Sequence, residues 1–402
     1  VTEQAVVPGR LLDRARRLPA SVRWGTALFL IGRLGWWAWG ALVMVLIPVP
    51  GGLRPWMVPP APAPGGLLGR LVEPWYRWDV LWYVRIAMEG YSKPDGRGAY
   101  SPLLPLLINL GQRLTGNYVS AGLLVSAVAG LAAFILLYEL AEREGFSGRR
   151  AGVLLLTFPL AFFLFVPYTE VLLLALGLGA YLAARTERWW PAALLASLAA
   201  LVKINGLFLL LPLGWEAWTQ RRGKIPWRAA WLALPPLAAL AWIVMRQGLQ
   251  GQGLSLPGFG VITPLVSPDF QVEWPGTALS WPWQTLVEAV AAPFQLWPKF
   301  DALTAVFDLV MTLVCIGLTV LTFRLRRPAY ALYSSAMLLG VLVLITHETP
   351  LIDAARRMLA AFPIFIAGAA LLGPRARMVW IVLGVLLQLL LTLLFVKWIM
   401  VG

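Results

Sequence analysis

From about residue 24 onward, long apolar runs alternate with short polar clusters along the chain, a pattern that predicts a bundle of membrane-crossing helices. The expected spans are 24–47, 118–140, 150–166, 168–184, 190–203, 205–219, 228–246, 302–323, 329–346, 356–372 and 378–398, eleven in all. The stretch after the first span has a different character. Residues 48–67 are rich in proline and glycine and predict an irregular loop. Over 70–92, Trp75, Trp78, Trp82 and Ile86 recur at three- and four-residue spacing, with Arg77, Arg85 and Glu89 off that stripe. This spacing predicts an amphipathic helix lying at the membrane surface. A turn follows at 93–99. The apolar run from Ser101 to Leu114 then carries Pro102 and Pro105 near its start. As a helix it is roughly 20 Å long, too short to span comfortably a hydrocarbon core of about 30 Å, and it predicts a second surface-lying or half-inserted helix.

That reading of 101–114 sets the orientation. With it, Arg143, Arg149 and Arg150; Arg185 and Arg188; Arg221, Arg222, Lys224 and Arg228; Arg324, Arg326 and Arg327; and Arg375 and Arg377 share the side of the N-terminal arginines. If 101–114 crossed, these clusters would face outward, against the excess of Lys and Arg in cytoplasmic loops. The expected N-terminus is therefore cytoplasmic, the first span is retained for lack of a small-residue cleavage site, and the extracytoplasmic parts are 48–117, 247–300 and tight turns near 167–170, 203–206 and 347–357.

Composition agrees with this class. Apolar residues make up 59% of 402 residues and charged residues 13%, with mean hydropathy +0.75. Soluble domains run at about 45–50% and about 25%. The expected fold class is thus an all-α polytopic membrane protein, one transmembrane domain over 1–402. Many of the 21 Trp flank the apolar runs, as amphipathic rings do at the membrane–water interface. The net charge of +14 lies in short clusters between apolar runs, which fits positive-inside loops and argues against a nucleic-acid partner. One cysteine, Cys315, excludes a disulfide framework, and one histidine, His347, excludes a His-rich metal site.

Ionisable residues at the expected external helix ends stand out: Asp79, Glu170, Lys203, His347, Glu348, Asp353, Arg356 and Arg357. Such groups are costly near an apolar layer and tend to be paired or functional. Each also has a plain reading. Asp79 can pair with Arg77 or Lys93, Glu170 can cap a helix, Lys203 can snorkel, the two arginines can meet lipid phosphates, and His347 can be an interfacial polar residue. Their common side is the stronger signal. A transporter or lipid flippase would collect charge too, but nearer mid-span and with internal repeats, and no repeat is visible.

Five blocks carry a family resemblance: Arg77-Trp78-Asp79 through Tyr91; Ala99-Tyr100-Ser101-Pro102-Leu103-Leu104-Pro105-Leu106; Phe158-Pro159 with Pro167-Tyr168-Thr169-Glu170; Lys203-Ile204-Asn205-Gly206-Leu207; and Arg357 through Phe362-Pro363. In this order they resemble the PIG-V-like mannosyltransferases of the GT-C superfamily of integral-membrane glycosyltransferases. The resemblance implies transfer, with inversion, of a sugar (mannose in the family) from a polyprenyl-phosphate donor to a lipid or glycan acceptor at the extracytoplasmic face. It implies a GT-C-type bundle and a general base at Asp79. Lys203 stands where the family more often has Arg, and Met358 where it has Tyr.

The chemistry suits the residues directly. A sugar phosphate lipid carries a good leaving group, so transfer needs a base on the acceptor hydroxyl and cations on the departing phosphate. Asp79 is the expected base. Lys203 and Arg356 or Arg357 are the expected phosphate clamp, Arg being suited to bidentate contact. Trp78, Trp82, Tyr83 and Tyr168 are expected to line the sugar pocket or prenyl groove, with Arg77, Glu170, Asn205 and His347 also at the site. No cofactor is required, although Asp79 with Glu170 leaves room for a divalent cation.

Overall fold

The computed structural model describes residues 18–47, 58–93, 95–220, 224, 226–250, 277–346 and 349–399. His347, Glu348, Arg221, Arg222, the arginines before residue 18, and residues 251–276 of the expected loop 247–300 lie outside the described residues. The described residues are largely helical. In order, the α-helices are α1 (Ala20–Leu46), α2 (Gly66–Val72), α3 (Asp79–Glu89), α4 (Leu103–Thr115), α5 (Tyr118–Arg143), α6 (Gly148–Leu156), α7 (Thr169–Arg185), α8 (Trp189–Val202), α9 (Leu210–Thr219), α10 (Leu234–Leu249), α11 (Pro282–Leu296), α12 (Asp301–Arg324), α13 (Pro328–Leu342), α14 (Ala354–Arg357), α15 (Pro363–Leu371) and α16 (Pro374–Val396). One short antiparallel ladder pairs β1 (Thr277–Leu279) with β2 (Leu344–Thr346) in the register Thr277 to Thr346. It ties the chain entering α11 to the chain leaving α13.

Among the described residues, five helices are long and apolar enough to cross a bilayer: α1, α5, α12, α16, and the 23-residue run Trp227–Leu249 that ends in α10. The bent pair Ala354–Ala360 with Pro363–Leu371 makes a sixth if counted as one span. Its two halves meet at 87°, at Pro363, where the missing N–H and the constraint on the preceding residue stop a straight helix. Eleven spans were expected; by length and apolar composition five or six of them qualify among the described residues. The expected spans at 168–184, 190–203, 205–219 and 329–346 fold as helices of 10 to 17 residues.

The expected span 150–166 is corrected most clearly. α6 stops at Leu156, and the chain runs on as a turn and a 3₁₀ segment, Ala161–Phe165, in which every residue is buried. Pro159 disfavours helical backbone at Phe158 and supplies no donor. The carbonyls left over must find partners inside an apolar core. They do so from three directions: Arg33 of α1 donates to Phe165 O, Ser126 of α5 donates to Val166 O at 2.8 Å, and Gln388 of α16 donates to Leu156 O at 2.9 Å. A charged residue inside α1 is therefore a backbone cap for a distant segment.

The expected single helix over 70–92 is also broken. α2 ends at Val72, a 3₁₀ turn covers Glu73–Trp75, and the chain restarts as α3 at Asp79 after Trp78, whose φ is +56°. The face that α3 buries is Val80, Tyr83, Val84 and Ala87 with Leu81 and Ile86; Trp82, on the expected stripe, is half-buried. α4 packs along both α3 and α5.

At the other end of α7, a second group of charges closes the bundle. Glu144, just past α5, pairs with Arg185 and with Arg327, each at 2.9 Å. Arg185 also reaches Glu216 at 3.2 Å, and Tyr181 donates to Glu216 at 2.6 Å. Four chain segments are thereby fastened together.

Candidate active site

The first residue of α3 is Asp79, and the two residues before it explain where it points. Arg77 is buried; its Nε donates to Val396 O at 3.1 Å, and its Nη1 donates to Glu73 O at 2.8 Å and Tyr76 O at 3.0 Å. Its guanidinium lies 4.9 Å from the ring centre of Trp398, which also packs against Trp78 at 5.8 Å. The chain is thus anchored to the last turn of α16. A non-glycine residue at positive φ costs roughly 1–3 kcal/mol and persists only where its surroundings enforce it. Here the anchors hold Trp78 in that conformation and turn Asp79 the opposite way.

Asp79 opens into a cleft with about 90 Å³ of space for water, lined by Asp79, Tyr83, Ala99, Tyr100, Ser101, Thr169, Val202, Lys203, Asp353, Arg356 and Arg357. Its Oδ2 lies 3.4 Å from Arg356 Nη2, and the Tyr100 hydroxyl donates to its Oδ1 at 3.5 Å. Arg356 is the hub. Its Nη2 also meets Asp353 Oδ2 at 2.6 Å and its Nε lies 3.4 Å from Glu170 Oε1, while the guanidinium sits over Phe163 and Tyr168 at 5.0 and 5.1 Å. Lys203 Nζ reaches Glu170 Oε1 at 3.2 Å. Arg357 lines the same cleft with no ion pair among the described residues, and its buried Nε has no hydrogen-bond partner. Burial pushes the Asp79 carboxyl up to about 6. Arg356 pulls it down, Asp353 and Glu170 push it up, and Lys203 pulls it down again.

Local sequence explains these placements. Glu170 sits in the first turn of α7, where a carboxylate is favoured by the helix dipole, and Lys203 follows the last residue of α8. Arg356 and Arg357 form the last turn of the four-residue α14, which begins after Asp353 in the left-handed conformation (φ +64°).

Of the residues singled out from sequence, Asp79, Tyr83, Lys203, Arg356 and Arg357 line the cleft together. Glu170 and Tyr168 stand directly behind them, through Arg356. Trp82 backs the wall by stacking on Tyr100 with ring centres 5.7 Å apart. Arg77 and Trp78 are turned away into the α16 anchor, and Asn205 is half-buried in the 3₁₀ turn Ile204–Leu209 and is not among the lining residues. The two carboxylates considered for a divalent cation, Asp79 and Glu170, both face Arg356. Tyr100, Ser101 and Asp353 line the cleft without having been assigned a role from sequence. Asp353 had a visible signal, a carboxylate three residues before Arg356.

A family model described as the alpha-(1->6)-mannopyranosyltransferase N-terminal domain matches residues 95–220, which include Tyr100, Glu170 and Lys203. GPI mannosyltransferase 2 of Schizosaccharomyces pombe is 30% identical over 151 residues, 36% of this chain and 32% of that relative, so the match spans about a third of the relative's length. No solved structure matches. Both matches are to mannosyltransferases, the enzyme class of the family that the five sequence blocks resemble, and each covers less than half of this chain.

Proposed function

We propose that this chain transfers mannose from a polyprenyl-phosphate-linked donor to a hydroxyl of a lipid or glycan acceptor, at the extracytoplasmic membrane face. The acceptor oxygen attacks the anomeric carbon as the bond from that carbon to the phosphate oxygen breaks, with inversion in a single displacement. The acceptor proton passes to Asp79, and the polyprenyl phosphate leaves with the bonding electrons.

The observation that supports this reading is the pairing, in one cleft, of a carboxyl raised to about 6 with an arginine that has no ion pair among the described residues. A carboxylate tuned toward neutral pH is a better proton acceptor than an ordinary one. A guanidinium that faces the cleft in this way suits a phosphate, which it can take through two parallel hydrogen bonds. Arg356 is already committed to three carboxylates, so the phosphate clamp falls to Arg357, with Lys203 beside it. Tyr83, Tyr100 and Ser101 form the wall nearest the sugar.

The test is transfer from radiolabelled polyprenyl-phosphate mannose to acceptors in a membrane extract, with identification of the labelled product. Labelled glycan or lipid that depends on the intact chain supports the reading. A purified, folded protein that transfers nothing from this donor, and moves the intact lipid across a vesicle instead, would make it a flippase.

A further inference from the structure

Asp353 takes no part in the transfer described above, yet the balance of charge at the base runs through it. It stands in the left-handed region immediately before α14, a conformation that Asp and Asn tolerate and most residues do not. That turn aims its carboxylate at the guanidinium three residues on. The Asp353 Oδ2 to Arg356 Nη2 distance of 2.6 Å is the shortest ion pair in the cleft among the described residues. The same Nη2 lies 3.4 Å from Asp79 Oδ2. One nitrogen is shared by two carboxylates, and Asp353 has the nearer share. Asp353 and Arg356 are both buried, so water does little to dilute the competition.

We propose that Asp353 is a positioning residue for the base: by holding Arg356 to itself, it keeps that guanidinium from forming a full ion pair with Asp79 and so preserves the basicity of Asp79. The proposal rests on Asp79 being the base. A close Arg partner lowers a carboxyl by roughly 1–3 pKa units. That would return Asp79 to the ordinary carboxylate range and weaken it as a proton acceptor at neutral pH. The other groups facing Asp79 do not play this part. Tyr83 comes from its own helix and Tyr100 from the loop before α4. Glu170, at the head of α7, already holds Lys203 at 3.2 Å and Arg356 Nε at 3.4 Å. Arg357 faces the cleft from α14. Asp308, buried in α12, is within electrostatic reach of Asp353 and Arg356 rather than of Asp79.

Asp353→Asn is the informative variant, because Asn keeps the shape and tolerates the left-handed backbone while removing the charge. The measurement is kcat/KM against pH for transfer from radiolabelled polyprenyl-phosphate mannose. In the wild type an inflection is expected near 6. In Asp353→Asn it is expected to fall by about one pH unit or more, with a several-fold lower rate at pH 7 and donor KM little changed. A purely structural role would lower melting temperature and depress the rate equally at every pH, leaving the inflection in place, and that result overturns the proposal. Complete loss of transfer at all pH values in a variant that melts like the wild type also overturns it, because Asp353 would then act directly. Should Asp353→Asn not fold, Arg356→Lys gives the second measurement. The shorter Lys removes the Nη2 that Asp79 and Asp353 share, so the inflection is expected to rise, and an unmoved one counts against the role. Failure of the underlying reading looks different: Asp79→Asn would keep its activity, or the wild type would show no inflection near 6.

Discussion

At Asp79, burial and two neighbouring carboxylates push one way while Arg356 and Lys203 pull the other, and the outcome sets when the cleft can accept a proton. A base works in its deprotonated form, so transfer should rise as pH increases through about 6 and level off above it, which a pH–rate profile checks. Asp79→Asn removes the acceptor altogether and is expected to leave less than about a tenth of wild-type transfer with normal expression, because a positioned base contributes roughly 10²–10⁴-fold. Arg357→Ala should raise donor KM by roughly 10- to 100-fold, the scale of one charge-assisted hydrogen bond of about 1.5–3 kcal/mol, and a donor titration reads it directly. The membership of the cleft was partly legible in the sequence, since Asp79, Lys203, Arg356 and Arg357 were all visible as ionisable groups at helix ends. Direction was not visible. Arg77 and Trp78 share a block with Asp79, but only the positive φ at Trp78 and the anchor on Val396 turn them to the opposite side.

At the scale of elements, the breaks matter more than the helices. An unbroken apolar run such as 150–166 looks like a span because periodicity cannot tell a buried irregular segment from a buried helix. Pro159 was the local clue, but what makes the break tolerable comes from elsewhere, through Arg33, Ser126 and Gln388, and no local pattern contains those partners. Close approach to the same segment fixes α16: a Cβ placed on Gly384 would lie 1.8 Å from Thr157 O. Gly384→Val is therefore expected to destabilise by at least the 1–3 kcal/mol typical of overpacking, seen as a lower melting temperature and lower folded yield in detergent. Arg77→Lys should act differently. Lys lacks the fork that joins Val396, Glu73 and Tyr76, so kcat should fall while donor KM stays near wild type, although residue 77 does not line the cleft.

Over the whole molecule, the helical membrane class was legible because composition and run length decide it, whereas the breaks inside the apolar runs depend on packing partners far along the chain. The charge groups at the two ends of α7 divide the work: Glu170 belongs to the cleft and Arg185 to the group formed with Glu144, Glu216 and Arg327. The anchor between Arg77 and Val396 joins residues 319 positions apart, and the contact between Arg356 and Asp79 joins residues 277 apart. A chain emerging from the ribosome N-terminus first carries Asp79 long before either partner exists. Its carboxyl meets the membrane surface without a counter-ion, and the strained turn at Trp78 has nothing to enforce it. The geometry of the cleft is consequently among the last features to assemble during biosynthesis, so a nascent or prematurely terminated chain would lack it until α16 is in place.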